Sequence, residues 1–214
     1  VDLTSATLLE VTAVTTPDND TTPDYTFSSS ESGTITYGGS CSSETSSATS
    51  GNNIITLNSL SDDTYSDCTI TITDSSGNVS NKLTITSFTL DRTAPTIARV
   101  TAVTTPTNDT TPNYTFSSDE AGTITYGGSC SSSTTSATTG NNTITLVSLN
   151  EGTYSNCTIK VTDSVGKESN TITLTSFVVD LTVATLSEVN AVTTPTNDTT
   201  PDYTFSSSEA GTVT

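Results

Sequence analysis

Apolar residues in this chain stand one at a time between Thr and Ser, in short runs broken by clusters of Gly, Asn, Asp and Pro. Tyr114 and Phe116 flank Thr115, Ile124 and Tyr126 flank Thr125, and Ile144 and Leu146 flank Thr145. A period of two marks a strand with one buried face, and no window repeats at the spacing of a helix. Thr suits the other face, because its branched Cβ favours extended backbone and its hydroxyl is at ease in water. Over residues 92–180 the pattern predicts seven strands. Strand A runs around Thr96–Val103, B holds Tyr114 and Phe116, C is Thr123–Tyr126, D lies near Ser136–Thr139 and E is Thr143–Leu146. Strands F and G take Thr153–Thr162 and Thr171–Val178, around a turn at Asp163-Ser-Val-Gly166. Gly140-Asn-Asn142 reads as the hairpin turn leading from D to E. The fold class is all-β, with a core thin enough to be closed by two packed layers.

The same pattern returns every 89 residues. Val11-Thr-Ala-Val-Thr-Thr-Pro17 recurs as Val100-Thr-Ala-Val-Thr-Thr-Pro106 and again as Val189-Asn-Ala-Val-Thr-Thr-Pro195. Residues 189–214 match residues 100–125 at 22 of 26 positions without a gap, which makes the period a property of one duplicated folding unit. That length is too great for one solenoid coil and fits one small sandwich. The expected division is a linker over 1–4, units over 5–91 and 92–180, and the first part of a third unit over 181–214.

Three local features carry a family resemblance. The linkers are Leu90-Asp91-Arg-Thr-Ala-Pro95 and Val179-Asp180-Leu-Thr-Val-Ala184. The F–G turns are Thr73-Asp-Ser-Ser-Gly-Asn78 and Thr162-Asp-Ser-Val-Gly-Lys167. The E–F corners are Leu60-Ser-Asp-Asp-Thr-Tyr65 and Leu149-Asn-Glu-Gly-Thr-Tyr154. Together they resemble the bacterial immunoglobulin-like (Big-type) tandem repeats of large surface adhesins and biofilm-associated proteins. The resemblance implies tandem immunoglobulin-like seven-strand β-sandwich repeats, and a Tyr hydroxyl tied to the backbone at each E–F corner. Val183-Ala184 and Lys167 depart from the family pattern, so the joints differ in sequence.

Charge narrows the function. With 23 acidic and 5 basic residues the formal net charge is −18, which excludes attraction to phosphate backbones and disfavours anionic membrane surfaces. Hard cations, calcium above all, are favoured. His is absent, which removes the commonest general base and transition-metal ligand. No apolar run approaches the ~20 residues that cross a bilayer. By this reading the chain is no enzyme, requires no cofactor and binds no nucleic acid.

Cys41 and Cys68 recur as Cys130 and Cys157, the same 27 residues apart. The first of each pair follows strand C and the second falls in strand F, which are antiparallel neighbours in a seven-strand sandwich. Side-chain parity places both on the inner face. The expected disulfides are Cys41–Cys68 and Cys130–Cys157, ahead of buried free thiols or a zinc site, and a disulfide in every unit points to an oxidising compartment. Tyr65 stands three residues before Cys68, so both face the core only across an irregularity in the strand.

Strand direction gathers carboxylates at the joints. One pole of the second unit holds Asp91 from the linker, Asp119 and Glu120 from B–C and Asp163 from F–G; the facing pole of the first offers Asp20, Asp62 and Asp63. Asp180, Glu209, Asp109 and Glu151 repeat the arrangement at the next joint. Two readings stand: calcium ligands that freeze the hinge, or solvated turn carboxylates.

The function expected is that of an extracellular stalk or fibre of a surface adhesin or biofilm protein. Its partners are neighbouring units of the same or adjacent chains, with host-surface or matrix glycans beyond them. One alternative is a self-assembling filament or sheath. Thr214 lies inside strand C of the third copy, whose remaining strands come from a longer chain or from a neighbouring molecule by strand addition. The other alternative is a glycan-binding module.

Overall fold

The computed structural model describes residues 2–214, and every regular element among them is a strand. In the first unit these are β1 (Leu8–Thr12), β2 (Asp24–Ser29), β3 (Gly33–Gly38), β4 (Ser47–Ala48), β5 (Gly51–Thr56), β6 (Asp63–Tyr65), β7 (Thr69–Thr73), β8 (Leu83–Thr84) and β9 (Phe88–Leu90). The second unit repeats them 89 residues on. They are β10 (Ile97–Thr101), β11 (Asn113–Ser118), β12 (Gly122–Gly127), β13 (Ser136–Ala137), β14 (Gly140–Thr145), β15 (Gly152–Tyr154), β16 (Thr158–Thr162), β17 (Ile172–Thr173) and β18 (Phe177–Val179). β19 (Leu186–Asn190) and β20 (Thr204–Ser207) pair as β1 does with β2, with the bulge at Glu10/Thr12 reappearing at Glu188/Asn190.

Each unit is a sandwich. One layer is β1–β2–β5, the other β4–β3–β7–β8, and the second unit keeps this order strand for strand. Alternation decides the inner face: Tyr25, Phe27, Ile55 and Leu57 from the first layer meet Ile35, Ile70, Ile72 and Ile85 from the second, with Phe88 of β9 beside them, all buried. One core runs from Ala6 to Leu90 and a separate one from Ile97 to Val179.

The strand assignments from sequence change at D, at the D–E turn, and at F and G. The stretch expected as D forms β13, which pairs with β12 and not with β14. Gly140-Asn-Asn142 is therefore no hairpin turn but the start of β14, paired along its length with β11. The Asn142 amide accounts for this: its Oδ1 accepts from Thr138 N–H at 2.8 Å, and its Nδ2 donates to the Thr138 and Gly140 carbonyls. A side chain closes the crossover where a hairpin ladder was expected. Strands F and G are each broken in two, F into β6 and β7, G into β8 and β9, with β6 pairing β9. The break in F lets Tyr65 and Cys68 both turn inward. The Tyr65 hydroxyl donates to the Ser61 carbonyl at 3.0 Å and accepts from Ser61 N–H, and the Tyr154 hydroxyl donates to Asn150 O.

The break also seats the disulfides. Cys41–Cys68 and Cys130–Cys157 are formed, each with Cα atoms 5.2 Å apart. The approach depends on Gly39 and Gly128, at φ 75° and 73°, where a Cβ would overlap the carbonyl oxygen of Asp67 or Asn156.

Polar side chains hold the sandwich edges. Asn81 accepts from Leu8 N–H at 2.7 Å and donates to Leu8 O at 3.1 Å, occupying both backbone groups of Leu8 at the start of the edge strand β1, and Asn170 does the same to Ile97. In the first unit Glu10 adds a latch between β1 and the chain just before β9. Its carboxylate accepts from the Tyr25 hydroxyl, the Thr86 N–H and the Thr86 hydroxyl. Burial alone would raise the Glu10 pKa, but these donors outweigh it and hold it below the ordinary value. In the second unit Arg99 takes this place and donates to the Thr175 hydroxyl, while the buried Tyr114 hydroxyl has no partner.

Two outcomes follow for stability. Arg99→Glu gives Tyr114 an acceptor, so it should stabilise the second unit by about 1 kcal/mol, read in calorimetry as a rise of about 4–8 °C in that unit's transition; an unchanged or lowered transition would count against the latch. Because the folded pKa of Glu10 is depressed, its contribution is present above the unfolded value and lost as pH falls through the folded one. In Glu10→Gln that acid-dependent loss should disappear from the first unit's unfolding curve below about pH 4.

Candidate metal centre at the joint

Asp91 follows β9 directly, and its N–H donates to Asp18 O at 2.8 Å, so its main chain belongs to the first unit. Its carboxylate turns the linker by accepting from Thr93 N–H at 3.0 Å, an Asx turn. Across the joint, Glu120 lies in the turn between β11 and β12, and Asp163 opens the turn after β16. Asp163 Oδ1 accepts from Val165 N–H at 2.9 Å and Lys167 N–H at 2.8 Å, which fixes that turn. One carboxylate oxygen from each of Asp91, Glu120 and Asp163 lies within 4.8 Å of the others. Burial first, and then the charges of Asp91, Asp119 and Asp163, push the Glu120 pKa up.

The same three positions exist 89 residues earlier as Asp2, Glu31 and Asp74, which also converge. There the Asn78 amide closes the cluster. It donates to Asp74 Oδ2 at 2.8 Å and to the Asp2 carbonyl at 3.2 Å. That side-chain bond, with the backbone N–H of Asn78, holds the Asp74 pKa low. In the second unit the position is Lys167, which forms neither of the two ion pairs among the described residues. Asp163 Oδ2 is accordingly buried with no hydrogen-bond partner. An orphaned carboxylate oxygen beside two further carboxylates is a hard, oxygen-only donor set, which fits calcium and not a soft metal.

The other acidic candidates do not join this centre. Asp20 accepts from the Thr22 N–H and hydroxyl, and Asp109 treats Thr111 in the same way. Asp63 accepts from Thr64 N–H at 2.7 Å, Glu151 from the Thr182 hydroxyl at 3.2 Å, and Asp62 pairs with Arg92 at 2.6 Å. These carboxylates serve their own turns or the linker, so the first unit contributes only Asp91 to the cluster. Asp180 repeats the Asx turn with Thr182, and the Glu209 N–H donates to Ser207. Asp2, Glu31 and Asp74 were missed from the sequence, although the 89-residue spacing pointed to them.

No family model matches the chain, and no curated protein matches it. Among solved structures it is similar to the D00-D0 domain of intimin, at 14% identity and a TM-score of 0.40, over 79% of this chain and 98% of that one. It is also similar to fibronectin(III)-like modules of Clostridium thermocellum CbhA, at 13% identity and 0.38, over 80% and 93%. A third likeness, at 16% identity and 0.25, is to the Bacteroides ovatus mixed-linkage glucan utilization locus protein SGBP-B in complex with a mixed-linkage heptasaccharide, over 86% of this chain and 47% of that one.

With divalent ions chelated, Glu120→Gln should make the second unit more stable at neutral pH, because it removes a charge its neighbours oppose. A raised folded pKa means stability is fully present below the unfolded value and is lost as pH rises through the folded one. The gap between variant and wild type should therefore close as pH falls below about 4. Thermal unfolding across pH reads this, and a gap independent of pH would contradict it.

Proposed function

We propose that this chain is a non-enzymatic structural segment of an extracellular stalk or fibre, of the kind that carries an adhesin or biofilm protein away from a cell surface, with calcium stiffening its joints. The observation that supports this best is the placement of Asp91. Its main chain is bonded to the first unit while its carboxylate meets Glu120 and Asp163 of the second, so an ion held there ties one unit to the next.

Calcium takes six to eight oxygens, and three carboxylates with backbone carbonyls and water meet that demand. Without it three negative charges crowd one hinge, in a chain whose net charge of −18 already favours extension. Disulfides in both complete units suit an oxidising location outside the cytosol. Each unit has its own core, so adding a unit adds length without altering its neighbours.

The filament alternative, in which strands pair between molecules, is less well supported. At the outer edge the Leu8 backbone of β1 is taken by Asn81 and the Ile97 backbone of β10 by Asn170, which disfavours strand addition at those residues. For a glycan platform the chain offers no Trp, and Tyr25 and Tyr114 are spent in the cores.

Isothermal titration of the chain with calcium should show binding in the ~0.1–1 mM range typical of extracellular modules. Small-angle scattering should show a narrower spread of end-to-end distances when calcium replaces chelator. No heat at several times that concentration, together with scattering that calcium leaves unchanged, would remove calcium from the reading.

A further inference from the structure

A second link crosses the joint beside the carboxylates. The Asn19 Nδ2 donates to the Val165 carbonyl at 3.1 Å, from the loop before β2 of the first unit to the F–G turn of the second. Asn19 is otherwise solvent-exposed. Val165 is half-buried, whereas Ser76, at the same place in the first unit's F–G turn, is exposed.

The donor belongs to a repeated element. Asn19-Asp-Thr21 recurs as Asn108-Asp-Thr110 and Asn197-Asp-Thr199. In the second unit, Thr104, Pro106, Thr107, Asn108, Asp180 and Thr182 bound an open cavity of about 440 Å³. That is the place where, one unit earlier, Asn19 meets the incoming turn.

We infer that the Asn-Asp-Thr loop of each unit is a docking socket for the F–G turn of the unit that follows, with Asn19, and Asn108 after it, donating to the backbone carbonyl of the turn's third residue. A side-chain amide recognises this turn by its main chain, so the residue at the tip is free to vary, as Ser76 and Val165 do. The socket shares its partner with the carboxylate cluster. Val165 N–H donates to Asp163 Oδ1 while Val165 C=O accepts from Asn19, so one peptide segment is held from both sides of the joint. This contact requires no ion.

The test is the relative ordering of the first two units in the 214-residue chain, read by NMR residual dipolar couplings. Wild type, Asn19→Ala and Asn108→Ala are compared in chelator and in calcium. Asn19 makes no side-chain bond within its own unit, so unchanged thermal unfolding of Asn19→Ala is expected and confirms the fold. In chelator, Asn19→Ala should lower the ratio of docked to undocked joints about three- to tenfold, the reach of one exposed hydrogen bond, and appear as diverging alignment magnitudes of the two units. Asn108→Ala should leave this joint as in wild type. Equal ordering of Asn19→Ala and wild type in chelator would overturn the socket. If calcium changes none of the three proteins while Asn19→Ala still loosens the joint, the calcium reading falls and the socket stands.

Discussion

A sandwich in which only 30% of the chain is apolar has little hydrophobic burial to spend on its margins, and everything else in this structure answers that constraint. The two layers share one sheet of side chains, from Tyr25 and Phe27 to Ile70 and Ile72, and beyond it the strands are nearly all Thr and Ser. Closure of the edges falls to directional bonds. The Cys41–Cys68 disulfide joins the end of β3 to the break in F; in the loop-entropy account such a link contributes roughly 3–4 kcal/mol. Asn81 satisfies the Leu8 backbone of β1, Tyr65 ties the E–F corner, and the Asn53 amide closes the crossover into β5. Each acts on a backbone group that would otherwise face water or a stray strand.

The same economy extends to the joints. The two units keep separate cores. Polar contacts span the gap: the Asx turn at Asp91, the carboxylates around it, and the amide of Asn19. Polar contacts over a short linker fix an angle without demanding a matched hydrophobic surface, which lets one sequence be copied in tandem.

Small exchanges between the copies change side-chain bonding without changing fold. Asn78 closes the first carboxylate cluster, and Lys167 at the equivalent position leaves Asp163 Oδ2 unpaired. Glu10 latches β1 to Thr86 and Tyr25, and Arg99 leaves the Tyr114 hydroxyl orphaned. The backbone is indifferent to both, since the strands sit at matching residues throughout the two units.

Strand positions, the 89-residue unit and the cysteine pairs were legible in the chain itself, because each rests on spacing: a period of two for a strand face, a constant shift for a duplicated fold, and parity for two thiols on adjacent strands. Four features waited for the tertiary structure. Ser136–Ala137 joins β12, not β14; F and G break in the middle; of the acidic candidates only Asp91, Glu120 and Asp163 converge; and Asn19 reaches Val165. All four are settled by loop conformation and by which side chain reaches a distant backbone group first. That competition among polar groups is decided in three dimensions, and no periodicity along the chain records it.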